Sequence, residues 1–292
     1  MTLARSLAFQ ALYYAASAFF VLTALPLLAL PRRALAASRS GADSPHRRTV
    51  RWPNRDASRV LTGWIRCYTR LMVWLMRRVG GIGVRIEGRE RLPDAPFIVA
   101  AKHQSWGDGF CVHAAIPDLA FVTGDHLMRY PLLGPVLRGL GAIVVRSCGG
   151  AAERGRLLAA ELQAARAARR PILIYPEGHL SPVGTQHRYR KGVYHLYEAY
   201  GVPVVPVATD LGVRWPQQQV ALRPGPCSVE FLDPIEPGLG KDEFMARLEE
   251  AIEGRSLGLL REQAAAGTLP ASVAVPAPGA APVLVGDAMV PA

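Results

Sequence analysis

The hydrophobic pattern changes character along this chain. From Ser6 to Leu30 no Asp, Glu, Lys or Arg interrupts an apolar run with Phe19, Phe20, Val21 and Leu22 near its middle. A helix of that length matches a bilayer hydrocarbon core of about 30 Å. From Ser58 to Val79 the period becomes helical: at about 100° per residue, Arg59, Arg66, Arg70 and Arg77 form one stripe. Leu61, Ile65, Tyr68, Leu71, Met72, Leu75 and Val79 lie opposite. This pattern predicts an amphipathic helix, suited either to a core-facing position or to the bilayer interface, with Trp64 and Trp74 near the headgroups. The neighbouring apolar run favours the interface.

From Gly80 onward short apolar runs alternate with helical patterns. Val84–Ile86, Phe97–Ala100, Leu119–Val122, Ala142–Val145, Ile172–Tyr175, Val202–Val207 and Val229–Phe231 read as strands. Gly109–Ala115, Ala151–Ala168, Tyr189–Tyr200 and Lys241–Glu253 read as helices. Such alternation predicts an α/β domain, a mixed sheet flanked by helices and preceded by the membrane and amphipathic helices. The expected organisation is a membrane anchor over 1–35, a basic linker over 36–57, an amphipathic interfacial helix over 58–79 and a catalytic domain over 80–260. The remainder, 261–292, is dominated by Ala, Pro, Val and Gly and is expected to be disordered.

Charge changes this picture in one respect. The 292 residues carry a formal charge of +11, which draws the chain to anionic surfaces. Arg32, Arg33, Arg39, Arg47, Arg48, Arg51, Arg55 and Arg59 follow the apolar run and only Arg5 precedes it. By the positive-inside rule the chain is expected to cross the cell (inner) membrane once, with its catalytic domain on the cytoplasmic side. Ala34-Leu35-Ala36 resembles a signal-peptide cleavage site, but the long run and the arginines after it argue for retention. Cys67, Cys111, Cys148 and Cys227 form no C-x-x-C pair and read as reduced thiols. No nucleic-acid reading motif occurs, so nucleic acid is not an expected partner. No H-E-x-x-H or G-x-S-x-G motif occurs either, so neither a metal, a cofactor nor a serine nucleophile is expected.

Residue types that carry chemistry gather where strands are expected to end. The first strand-to-helix junction reads Lys102-His103-Gln104-Ser105-Trp106-Gly107-Asp108. On a regular helix His103 and Asp108 would point apart, but they meet if His103 occupies the turn and Asp108 the first helical turn. Asp108 then fixes the imidazole tautomer and leaves the other nitrogen to take a proton from a hydroxyl. Ile172-Leu173-Ile174-Tyr175 runs into Pro176-Glu177-Gly178-His179, and Gly141-Ala142-Ile143-Val144-Val145 into Arg146. Open α/β sheets bind ligands at the carboxyl ends of their strands, which gives His103, Glu177 and Arg146 a common edge. Taken singly, Pro-Glu-Gly also suits a surface turn and Arg146 a solvated strand end.

In this order, with Val202-Pro203-Val204-Val205-Pro206-Val207 following, these blocks resemble the 1-acyl-sn-glycerol-3-phosphate acyltransferases of the glycerolipid acyltransferase superfamily. The resemblance reaches from the anchor to about Leu260 and implies His103 as general base and Asp108 as its support. It implies acceptor contacts at Gly141, Arg146, Glu177 and Gly178, with the Val202–Val207 strand structural or lining the acyl side. It also implies direct acyl transfer from acyl-CoA or acyl-carrier protein to a lysophospholipid at the lipid bilayer, with backbone amides over Ser105–Gly107 as candidates to hold the oxyanion. Two blocks depart from the family pattern. His179 and Leu180 stand where Thr and a phosphate-binding Arg are common, and Gly124-Asp125-His126 stands where a Lys is frequent. Arg188, Arg190 and Lys191 are candidates to replace the missing charge; failing that, the acceptor is another lysolipid such as lyso-ornithine lipid. Hydrolysis of the thioester is a further alternative, and a basic membrane-surface protein without catalysis is the alternative of another class.

Overall fold

A computed structural model describes residues 3–29, 55–146, 150–217, 219–276 and 283–284. Two long helices, α1 (Leu3–Ala29) and α2 (Arg55–Arg78), precede a seven-stranded sheet. The sheet holds β1 (Ile82–Glu87), β2 (Ile98–Ala101), β3 (Ala120–Gly124), β4 (Ile143–Val145), β5 (Ile172–Ile174), β7 (Val204–Thr209) and β8 (Gly225–Phe231). Its order is β1-β8-β7-β2-β5-β3-β4. Only the β7–β8 pair is antiparallel, so the sheet is mixed as expected and each predicted strand is present. The central strands β2, β5 and β7 were visible as unbroken apolar runs because they are covered on both faces.

Alternation along β2 separates the two faces: Val99 and Ala101 belong to one core with Met72, Leu75 and Met76 of α2 and Cys111 of α3 (Gly107–Ala115). Ile98 and Ala100 belong to the other, under α5 (Ala151–Ala167), α6 (Gly192–Tyr200) and α7 (Lys241–Ala265). Helix α4 (Leu133–Gly139) was not expected, because Gly134, Pro135 and Gly139 hide its period. Helix α7 outruns its expected end at Glu253, because Gly254 lies on the solvent side while the buried row Phe244, Leu248, Ile252, Ser256, Leu259 and Leu260 continues past it.

Helices α1 and α2 lie antiparallel. Arg5 Nε donates to Val79 O, the Ser17 and Tyr68 hydroxyls are 2.8 Å apart, and Trp64 Nε1 donates to Thr23 Oγ1 at 3.1 Å. Phe9 of α1 is fully buried in the same core as Val99 and Leu173, stacked edge-on against Trp215. The opposite side of α1 is open: Leu3, Leu7, Tyr14, Phe19 and Leu22 are each more than half exposed. Residues Leu3–Leu28 are long and apolar enough to cross a membrane, with only 11% of the most apolar window buried. That exposure associates the protein with a membrane, since water would not tolerate such a surface.

The structure corrects the reading of α2. Its apolar face is turned to protein, with Leu61, Met72, Leu75 and Met76 all buried, rather than lying free for the bilayer interface. Periodicity reports that a face needs an apolar partner without saying which. The arginines that follow the apolar run from Arg32 to Arg51 lie outside the described residues. The tail is also corrected in part. Thr268 O accepts from Arg214 Nη2 at 2.9 Å, and β9 (Val283–Leu284) pairs in parallel with β6 (Thr185–Gln186).

Candidate active site

Strand β2 delivers Lys102 and His103 to the carboxyl edge of the sheet, and α3 begins at Gly107. Asp108, in the first turn of α3, reaches back across the junction. Its Oδ2 accepts the backbone N–H groups of Gln104 and Ser105, each at 2.7 Å, and lies 3.3 Å from Nδ1 of His103. The carboxylate thereby shapes the turn and faces the imidazole with the same oxygen. With Nδ1–H directed at Asp108, Nε2 is left as the proton acceptor of a partly exposed ring. The 3.3 Å separation is long for a hydrogen bond, as is common before a substrate is present. Asp108 is buried and its Oδ1 has no partner among the described residues. Burial pushes its pKa above the ordinary carboxylate value, against the opposing pull of His103 and the two amides.

Strand β5 lies beside β2 and brings Tyr175, Glu177 and Gly178 to the same edge. Tyr175 stacks on the His103 ring, with centroids 3.8 Å apart and planes 15° from parallel. Gly178 has φ +76, a left-handed conformation, and a Cβ there would collide with the Arg190 side chain. That backbone conformation favours glycine, and any side chain there would also push Arg190 aside. Arg190 closes the loop by donating Nε to Glu177 O at 3.3 Å, while its side chain remains exposed along with Arg188 and Lys191.

Three sets of expected site residues carry engagements of their own within the protein. Glu177, expected to meet the acceptor, is fully buried and both its oxygens are engaged within the protein. Oε1 accepts the His103 backbone N–H at 3.2 Å; Oε2 accepts Lys102 Nζ at 3.1 Å and the Ser181 hydroxyl. Gly141 is buried with φ +70 and shapes the turn between α4 and β4. Of the amides expected to hold an oxyanion, that of Ser105 is taken by Asp108 and that of Gly107 by the Ser105 hydroxyl at 3.1 Å, which leaves that of Trp106 as the candidate.

Arg146 ends β4, three strand positions from β2, hence about 14 Å along the sheet from His103. It is partly exposed, and its Nη2 lies 3.8 Å from Glu161 Oε1. Glu161 is itself fixed by the Val144 N–H at 2.6 Å, and burial raises its pKa. Leu180, where the resemblance leads one to look for Arg, is buried.

Sequence reasoning missed Lys102, Tyr175, Ser181, Tyr189 and Glu253. Lys102 carried one signal: a charged residue at the end of an apolar strand needs a partner if it is buried. For Glu253, separated from Lys102 by 151 positions, nothing local gave it away.

This fold is shared. The 1-acyl-sn-glycerophosphate (LPA) acyltransferase of Thermotoga maritima superposes with a TM-score of 0.66 at 20% identity, over 90% of this chain and 98% of that one. Residues 83–210 match the model of the family described as Acyltransferase, and they contain both blocks of the site. Over that segment the chain is similar to this acyltransferase family. Similarity also runs to the 1-acyl-sn-glycerol-3-phosphate acyltransferase of Pseudomonas aeruginosa, 30% identical over 168 residues, covering 56% of this chain and 63% of that protein. The enzyme of the same description from Saccharomyces cerevisiae is 29% identical over 155 residues, 51% of this chain and 50% of its own. The chain thus spans between half and 63% of the length of these relatives.

Proposed function

We propose that this protein transfers a fatty acyl group from acyl-CoA or acyl-carrier protein to the free hydroxyl of 1-acyl-glycerol-3-phosphate, giving phosphatidate for phospholipid biosynthesis. The observation that carries the reading is His103, oriented by Asp108 through Nδ1, with Nε2 free at the carboxyl edge of the sheet. In the reaction, Nε2 takes the acceptor's hydroxyl proton as that oxygen attacks the thioester carbonyl, and Asp108 stabilises the resulting imidazolium. The thiolate leaves with a proton returned from His103. No acyl-enzyme is needed, and the protein's own groups suffice to bind, orient and move the proton.

For the acceptor phosphate the reading uses Arg146 and the exposed cluster Arg188, Arg190 and Lys191, since Leu180 is buried. Gly141, Glu177 and Gly178 serve it by shaping the loops. The lipid substrates are met in the bilayer: the open face of α1 is the contact, in the cell (inner) membrane with the catalytic domain on its cytoplasmic side. The attachment of α1 along the length of α2 favours partial insertion of the helix pair over a single crossing by α1 alone. A second reading keeps the chemistry and changes the acceptor to a lysolipid without the usual phosphate, such as lyso-ornithine lipid. It is favoured by the buried apolar Leu180.

Membranes containing the protein, supplied with labelled acyl-CoA or acyl-carrier protein and each lysolipid in turn, separate these readings. Phosphatidate formed by the wild type and absent with His103→Ala supports the main one. Transfer to lyso-ornithine lipid alone would move the acceptor assignment. Fatty acid released at full rate without any lysolipid would replace transfer by hydrolysis.

A further inference from the structure

Behind His103 lies a charged cluster to which nothing above assigns a part in the reaction. Lys102 is 1% exposed, and its ammonium meets Glu253 Oε1 at 2.8 Å and Oε2 at 2.9 Å, Glu177 Oε2 at 3.1 Å and the Thr185 carbonyl at 3.2 Å. The three donors of an ammonium are thus fully used. Tyr189 donates its hydroxyl to Glu253 at 2.7 Å. The other oxygen of Glu177 receives the His103 N–H, and the His103 carbonyl accepts the Ser181 N–H at 2.7 Å. Both backbone groups of the candidate base are therefore pinned, one of them directly by this cluster.

We infer that Lys102 and Glu253 are positioning residues for acyl transfer, forming an ionic lock that ties the His103 turn to helix α7. The argument is one of reach. Glu177 can hold the His103 amide only while its second oxygen is neutralised, because an unpaired carboxylate would not stay buried at 0% exposure. Lys102 supplies that charge, but a single lysine beside a buried glutamate is free to swing. Glu253, with both oxygens on Nζ, fixes the ammonium from the opposite side. Burial raises the Glu253 pKa while Lys102 opposes the rise, as expected for an acid that depends on its partner. Glu253 lies outside the segment 83–210 that matches the family model, so the lock joins a separate part of the chain to the site.

This inference rests on the acyltransferase reading, and its test separates the two. Full-length wild type, Glu253→Gln, Glu253→Asp and Lys102→Met are assayed for transfer from acyl-CoA to lysophosphatidate, and their melting is followed in parallel. Glu253→Gln is expected to lower kcat at least tenfold with both KM values within twofold and folding retained; Glu253→Asp, which keeps the charge, recovers part of the loss. Lys102→Met is expected to lose more. A Glu253→Gln protein with kcat within twofold of wild type overturns the lock; so does one whose activity falls only in proportion to unfolded protein. Should the wild type acylate no lysolipid, the acyltransferase reading fails by itself. The lock is then read by amide hydrogen exchange at His103, whose N–H is held by Glu177. Faster exchange of that amide in Glu253→Gln at unchanged melting supports the lock, and unchanged exchange overturns it.

Discussion

Strands β2 and β5 at the centre of the sheet and β4 at its edge end on the same side of the molecule, yet the side chains they deliver are held in different ways. At the centre, Asp108 serves two amides and an imidazole, Glu177 is fully engaged, and Tyr175 lies flat on the ring of His103. At the edge, Arg146 has one ion pair at 3.8 Å and is partly exposed, and Arg188, Arg190 and Lys191 stand in solvent. Proton transfer needs atoms fixed to a fraction of an ångström before the substrate arrives. Recognition of a headgroup tolerates side chains that settle around it. On the proposed reading, the difference assigns rate to the centre and affinity to the rim.

That assignment can be broken by substitution. The largest effect is expected from His103→Ala, with kcat for acyl transfer down by about 10³ at nearly unchanged melting temperature, the span of general-base catalysis. Asp108→Asn follows, with kcat down about a hundredfold while KM for the lysolipid barely moves. Acid pH sharpens the same point. Burial raises the Asp108 pKa, so the folded state holds that proton more tightly than the unfolded chain. Lowering the pH through its range therefore favours the fold as far as this group is concerned, while it removes the charge His103 relies on. Activity is expected to fail at a pH where circular dichroism is still native.

At the rim, Arg146→Ala is expected to raise KM for lysophosphatidate about tenfold with kcat within twofold, the loss of one charge-assisted contact. An equal fall in kcat would place Arg146 with the centre. The smallest effect belongs to Tyr175→Phe. The ring stack remains, and a buried hydroxyl without a partner among the described residues is removed. Activity is expected to stay within about threefold and melting to rise slightly, since an unpaired buried polar group costs about 1–3 kcal/mol.

The same contrast governs what could be read in the sequence. Strands β2, β5 and β7 were legible as apolar runs covered on both faces, and His103, Asp108 and Glu177 stood out because strand ends in such sheets bear ligands. The role of Glu177 was not legible. Its partner Lys102 becomes a neighbour only when β2 and β5 lie side by side. Glu253 required α7 to continue past Gly254 and fold back over the sheet. The two-residue strands Thr185–Gln186 and Val283–Leu284 have no period to detect. Leu61 and Met72 were placed correctly on the apolar face of α2, but sequence does not distinguish a lipid neighbour from a protein one.

The burial of Phe9 has a practical corollary. Membrane enzymes are often made water-soluble by trimming the first helix, which works when that helix is a tether. Here the first helix is also a wall: Phe9 fills the core that supports β2 and β5, Ser6 Oγ receives the Leu222 N–H, and Ala24 closes the small core around Leu61 and Val136. A version lacking residues 1–29 would expose that interior and is expected to aggregate, so purification of this protein calls for detergent or lipid around the whole chain.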